Sequence, residues 1–145
     1  MAYYLRVFCA SQEPVSLANV VESAAAEGVS LRPDEGASGA LTYAPNRPPL
    51  ILEVERDADA VEEETAEFVE AVEDLGPSDP AERVLARLRA TKMVAAIQIP
   101  TSDADDATYD AVGSLVRYFA ENREGLIQAD GEGFYEGTEL ILALH

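Results

Sequence analysis

The chain has 145 residues, of which 28 are Asp or Glu and 10 are Lys or Arg, so its formal net charge at pH 7 is -18. This length suits a single domain over residues 1–145, and an apolar content of 48% is too high for a disordered chain. The negative charge argues against binding of nucleic acid or of an anionic membrane surface, since both need Lys and Arg, and it favours a basic protein partner.

The first part of the chain predicts a strand, a helix and then short strands. Residues 3–10 carry apolar side chains at both alternating sets of positions, which indicates a strand inside a sheet. Helical spacing follows over residues 15–27, and Gly28 is a typical helix stop. After a region rich in Gly and Pro, a short strand is predicted at residues 40–43. Residues 50–56 alternate as a half-buried antiparallel strand does.

The second part predicts three helices and three strands. Residues 92–99 form the most apolar strand of the chain, and we expect this strand to be interior to the sheet. Arg83, Arg87 and Arg89 mark the exposed face of the second helix. The predicted elements are helices over 59–75 and from 79, the strand 92–99, a helix after the Asp-rich segment 101–106, and strands at 126–129 and 139–144.

This order of elements predicts an α+β fold with a mostly antiparallel sheet and helices packed on one face. The two halves of the chain also resemble each other. Glu27 and Gly28 follow the first long helix as Glu124 and Gly125 follow the last. A second Glu-Gly pair then follows at the same distance along the sequence in each half, at residues 35–36 and at residues 132–133. An internal duplication of a strand-helix-hairpin unit is therefore a hypothesis.

Few side chains are suited to nucleophilic catalysis or to binding a transition metal through His or Cys. Cys9 lies inside an apolar run, where a buried hydrophobic role is expected, and the single histidine, His145, is the final residue. The sequence has no glycine pattern typical of a dinucleotide site and no phosphate-loop lysine. We therefore predict no metal site and no cofactor, and the sequence identifies no catalytic residue.

Aspartates before the last helix allow a calcium interpretation. Asp103, Asp105, Asp106 and Asp110 supply oxygen ligands, but Ser114 stands where a helix-loop-helix calcium loop needs a bidentate Glu. The favoured interpretation is that Ser102, Asp103 and Asp105 or Asp106 cap the helix and interact with its positive dipole end.

The helix over residues 59–75 has an acidic outer side with no Lys or Arg of its own. Like charges three or four residues apart destabilise a helix by a few tenths of a kcal/mol per pair, ~0.2–0.5. One interpretation is an ordinary solvated surface. The other is a recognition face for a basic partner, formed by Glu63, Glu67 and Glu70, with Arg83, Arg87 and Arg89 of the next helix as alternative partners.

The segment 125–137 combines aromatic, acidic and glycine residues. Glycine permits backbone turns closed to other residues, and neighbouring aromatic rings can line a small pocket. Asp130, Glu132, Tyr135 and Glu136 are therefore candidate binding residues for a cation or an amine, or an acid/base pair. The alternative is a hairpin with a bulge, in which Phe134 and Tyr135 close the end of a sheet.

Two classes of function remain. The first is a non-catalytic binding protein of the bacterial cytoplasm that acts on a basic protein through its acidic surface, an antitoxin-like or immunity-like role being one version. The second is a carboxylate-based enzyme or small-ligand binder centred on residues 130–136. The charge and the shortage of nucleophiles favour the first. A cytoplasmic location is expected because the sequence shows no membrane-spanning stretch and no signal-peptide pattern.

Overall fold

The computed structural model describes residues 3–34, 36, 38–100 and 104–145. These residues form four helices and eight strands. In chain order the elements are β1 (Tyr3–Cys9), α1 (Leu17–Ala26), β2 (Arg32–Pro33), β3 (Ala40–Thr42), β4 (Leu50–Glu55), α2 (Ala58–Asp74), α3 (Asp79–Arg89), β5 (Met93–Ile99), α4 (Asp106–Asn122), β6 (Gly125–Ala129), β7 (Gly133–Glu136) and β8 (Glu139–Ala143).

The strands form one antiparallel sheet in the order β2-β3-β4-β5-β1-β6-β7-β8. The predicted α+β class and antiparallel sheet are thereby confirmed. The prediction that β1 and β5 are interior is also confirmed, since they pair with each other at the centre of the sheet. Val7 lies opposite Ala95 on one side and opposite Ile127 on the other. Central strands are apolar on both faces because both faces are covered.

The helices cover both faces of the sheet, so the expectation of helices on one face was wrong. Helices α1 and α4 pack on the face that carries Val7 and Cys9. Helices α2 and α3 pack on the opposite face, which carries Phe8 and Val94. Successive side chains of a strand point to opposite faces, so a strand with apolar residues at every position needs cover on both sides. Each face therefore has its own hydrophobic core.

The two halves of the chain share a strand-helix-strand unit. In the first half, β1 and β4 are parallel and β5 lies between them; in the second, β5 and β6 are parallel and β1 lies between them. Helices α1 and α4 follow the first strand of each unit and pack on the same face. The hairpins do not correspond, because β2 and β3 precede β4 whereas β7 and β8 follow β6. Residue 35 of the proposed sequence match lies outside the described residues.

The helix starts are set by side-chain caps. The N-cap of α2 is Asp57, whose carboxylate accepts a hydrogen bond from the backbone N–H of Ala60, so the helix begins before the predicted Asp59. Asp105 caps α4 by accepting from the backbone N–H and the hydroxyl of Thr108. These contacts support the capping interpretation of Asp105, while Ser102 and Asp103 lie outside the described residues. None of the described helices combines the length and apolar character needed to cross a membrane.

The turn between β6 and β7 provides a test of the hairpin geometry. Gly133 has φ +138, and a Cβ there would lie 2.1 Å from the carbonyl oxygen of Leu142. Gly131 has φ +76, but its Cβ would meet nothing within 4 Å. We expect Gly133→Ala to lower the free energy of unfolding by more than about 2 kcal/mol and Gly131→Ala by only about 1 kcal/mol. Urea unfolding of both variants measures the difference, and equal losses would contradict it.

Candidate functional site

Helix α2 is the most acidic element, with a buried side towards the sheet and an exposed side that carries glutamates. Val61, Thr65 and Val72 are buried against the sheet. Glu63, Glu67 and Glu70, the three glutamates that the sequence suggested as a recognition face, are all exposed. Because they are spaced at i, i+4 and i+7, they share one side of the helix that points away from the sheet. We call Glu63, Glu67 and Glu70 the acidic face.

The acidic face lacks ion-pair partners among the described residues. Of the α2 carboxylates, Glu64 pairs with Arg6 at 3.2 Å and Glu73 pairs with Arg89 at 3.4 Å. The arginines of α3 were the alternative partners suggested by the sequence. Among the described residues, Arg89 pairs with Glu73, whereas Arg83 and Arg87 pair with Glu136 of β7. The like-charge repulsion within the acidic face is therefore not offset by the neighbouring helix.

A groove of about 660 Å³ runs beside α2 and extends to the C-terminal end of α3. We call it the α2–α3 groove. Ala58, Ala66 and the half-buried Val69 form its accessible apolar floor, and the buried Val61 and Leu88 lie beneath. Charged residues line its rim on both sides: Glu62, Glu70 and Glu73 on α2, and Arg89 and Lys92 opposite. Glu70 thus belongs both to the acidic face and to the groove.

Asp130, in the turn between β6 and β7, binds an arginine of the central strand. Arg6 Nη1 donates to Asp130 Oδ1 at 2.8 Å and to Gln128 Oε1 at 2.9 Å, and Arg6 Nε donates to Glu64 Oε1 at 3.2 Å. Its guanidinium also lies 5.2 Å from the ring centroid of Phe68. The side chain of Arg6 is 19% exposed. This cluster joins β1, β6 and α2, and it engages the Asp130 carboxylate within the fold.

Glu132 and Tyr135 form a second cluster at the same end of the sheet. The Glu132 carboxylate accepts hydrogen bonds from the hydroxyls of Tyr3 and Tyr135, the latter at 2.7 Å. These hydrogen bonds, from Tyr135 first and then Tyr3, lower the pKa of Glu132. Burial and the hydrogen bond to Glu132 raise the pKa of Tyr3, and the separate hydrogen bond from Tyr135 to Glu132 raises the pKa of Tyr135. The carboxylate is thus held ionised and the two hydroxyls protonated.

Glu136 faces a third direction, towards α3. Its Oε2 accepts a hydrogen bond from Arg83, and its Oε1 lies 3.9 Å from Arg87 Nη1. The acidic residues of the segment 125–137 therefore have separate partners on β1, β7 and α3. Phe134 is fully buried under α2 and α3, and a bulge lies between β7 and β8. The segment thus contains the bulged hairpin of the alternative, with Phe134 in the core on a sheet face, and Asp130, Glu132 and Glu136 each have a partner within the fold.

The single cysteine is a poor nucleophile in this setting. Cys9 is fully buried in the core under α1 and α4, and burial raises the pKa of its thiol to about 12. His145 Nδ1 lies 3.0 Å from the carbonyl oxygen of Gly131. Over the described parts of the chain, no three His, Cys, Asp or Glu side chains are arranged to hold a metal ion.

Sequence reasoning missed Arg6, Tyr3 and the α2–α3 groove. Arg6 carried a signal, because a single charged residue in an otherwise apolar interior strand needs a partner inside the fold. Tyr3 and the groove had none, since both depend on which elements become neighbours in the sheet. Lys92, the single lysine of the chain, lies on the groove rim opposite α2.

The Arg6 cluster predicts that a lysine cannot replace this arginine. A lysine ammonium has no planar fork to reach Gln128, Asp130 and Glu64 together, so Arg6→Lys should lower the free energy of unfolding by about 1–3 kcal/mol. Arg32→Lys, at an exposed position of β2, is the matched control and should change it by less than about 0.5 kcal/mol. Urea unfolding tests both variants, and equal effects would show that the cluster contributes nothing specific.

The lowered pKa of Glu132 predicts a pH-dependent contribution to stability. An unperturbed Glu titrates at roughly 4.3, so the ionised carboxylate stabilises the fold above that pH and loses its effect as the pH falls through its lower folded pKa. Glu132→Gln should therefore lower the melting temperature at pH ~7, with a difference that shrinks towards pH ~3. Glu139→Gln, an equal charge change on β8, is the control. A difference independent of pH would contradict the assignment.

Comparison with known proteins identifies no relative of this chain. The chain matches no protein-family model, no curated protein and no solved structure. The geometry of the acidic face and of the adjoining α2–α3 groove is therefore what a functional proposal has to be built on.

Proposed function

We propose that this protein is a non-catalytic binding protein that recognises a basic protein partner through the acidic face of α2. The observation that carries the proposal is that Glu63, Glu67 and Glu70 point outwards together without ion-pair partners among the described residues. Basic side chains of a partner would supply the charges that this helix lacks. A net charge of -18 would also steer such a partner towards the protein.

The alternative site at residues 130–136 has less support. A general acid needs a raised pKa, whereas hydrogen bonds from two tyrosines lower that of Glu132. Asp130 is hydrogen-bonded to Arg6, and Glu136 to Arg83. Each of these carboxylates would have to give up an internal partner to reach a ligand. The acidic face requires no such exchange, so it is the preferred interaction surface.

The proposal predicts a specific effect of Glu63→Gln, Glu67→Gln and Glu70→Gln made together. Binding of a basic partner should weaken with salt, because the screening length falls from about 30 Å at 0.01 M to about 8 Å at 0.15 M. In the triple variant the association rate should fall while the dissociation rate changes little, since rim charges act mainly on encounter. Affinity capture at low salt followed by kinetic measurement on the retained protein tests this. Glu22, Glu53 and Glu139, exposed on three different elements, provide a control with the same charge change.

The same triple variant separates function from structure. Glutamine keeps helix propensity and size while removing like-charge repulsion of about 0.2–0.5 kcal/mol per pair, so its melting temperature should be equal to or above that of the wild type. Lost binding with an unchanged or raised melting temperature supports a recognition face. Binding equal to that of the control variant would mean an ordinary solvated surface, and a lowered melting temperature would mean that the glutamates have structural partners.

A further inference from the structure

The wall that α2 contributes to the α2–α3 groove has the spacing of a helix-packing surface. The α2 positions that line it are 58, 61, 62, 65, 66, 69, 70 and 73, which alternate steps of three and one. This is the i, i+3, i+4, i+7 pattern with which one helix presents a face to another. The groove therefore follows one side of α2 along nearly its whole length instead of forming a local pit.

The length of the groove suits a second helix. The Glu73–Arg89 ion pair bridges the groove at one end, so the open stretch runs from position 58 to position 70. At 1.5 Å per residue this stretch is about 18 Å long, the length of a helix of roughly 12 residues. Ala58 and Ala66 both line this wall and are exposed. Small side chains allow two helix axes to approach at the short end of the usual range, about 8 Å. The accessible apolar floor at Ala58, Ala66 and Val69 then lies within reach of the incoming side chains.

The charges at the rim define the chemistry of that helix. Glu62 and Glu70 are exposed on the α2 side and have no ion pair among the described residues, and the acidic face adjoins them. We propose that the α2–α3 groove binds an amphipathic helix of the basic partner, with its apolar side chains on the groove floor and its Lys and Arg side chains towards α2. This inference rests on the proposed function and names the element of the partner that is recognised.

Lys92 makes the groove asymmetric. It is exposed on the rim opposite α2, and the described residues give it no ion pair. A helix that is basic on both flanks places like charges against Lys92, whereas a helix that is basic on the α2 flank and neutral or acidic on the other does not. Lys92 therefore selects the orientation in which the partner helix lies in the groove.

The probe for this inference is a fluorescent peptide of about 18 residues, ~27 Å as a helix, with leucines along one face and lysines elsewhere. A scrambled peptide of the same composition has the same charge but no apolar face. The wild-type protein should bind the amphipathic peptide at least about tenfold more tightly than the scrambled one, a difference of about 1.4 kcal/mol. Fluorescence anisotropy at ~0.15 M salt measures both affinities.

Ala66→Trp tests the groove directly, because it fills the space between α2 and the opposite rim. It should weaken binding of the amphipathic peptide by about tenfold or more. Ala25→Trp, on the exposed side of α1, is the matched control and should leave the affinity unchanged. Circular dichroism and melting temperatures verify folding, and Ala58→Trp is the second groove variant if Ala66→Trp does not fold.

The outcomes separate the groove from the acidic face. Equal affinity for both peptides, or unchanged binding by the groove variants, overturns the groove as the binding site. If the Glu63, Glu67 and Glu70 triple variant then loses binding of both peptides, recognition through the acidic face still stands. If that variant and the groove variants all bind as the wild type does, the inference and the proposed function both fail.

Discussion

The antiparallel pair of β1 and β5 is the constraint on which the rest of the molecule depends. Both strands are apolar at nearly every position, so their pairing creates a sheet centre that must be shielded from water on two sides. Helices α1 and α4 shield one side, and α2 and α3 shield the other. Helix α2 is held against the sheet by an aromatic and apolar contact surface that includes Phe68, whose ring packs against Phe8 and Phe134. Its outer side is consequently free to carry charge.

The distribution of the few cations explains which carboxylates remain unpaired. Several arginines are engaged within the fold: Arg6 with Asp130 and Glu64, Arg117 with Glu27, and Arg83 with Glu136. Arginine suits this role because its planar fork reaches several oxygens at once. With 28 acids and 10 bases, the basic residues are too few to pair one to one with the acids, so the excess of acids alone marks no site. The acidic face is defined by three exposed, regularly spaced glutamates that have no ion pair among the described residues, and one of them, Glu70, also lines the α2–α3 groove.

The two proposed elements of recognition act at different distances. Exposed carboxylates act through a field that extends over a Debye length, about 8 Å at physiological salt, and mainly increase the rate of encounter. An apolar groove acts only in contact, where side chains leave water, and mainly lengthens the lifetime of the complex. Glu70 belongs to both surfaces, so it would act in the long-range attraction of the partner and also in the contact that follows. Such a combination discriminates a basic amphipathic helix from a basic segment without an apolar side.

The sequence by itself determined the local elements, because their signals lie within a few residues of each other. The alternation of apolar residues identified β1 and β5 as interior strands, and the spacing of Glu63, Glu67 and Glu70 placed them on one side of a helix. The bulged hairpin at residues 125–137 was among the alternatives that the residue types allowed.

Only the tertiary structure decided which helices cover which face, and which partners the charged residues have. Arg6 meets Asp130 across a separation of 124 residues, and the hydroxyl of Tyr3 reaches Glu132 across 129. The α2–α3 groove likewise combines Gln12, which follows β1, with residues of α2 and residues at and after the end of α3. The spacing of apolar residues in a helix or strand predicts which of its side chains are buried. It does not identify the neighbouring element against which they pack. Partner choice depends on strand order and on long-range packing, which fix these neighbours only when the whole sheet is assembled.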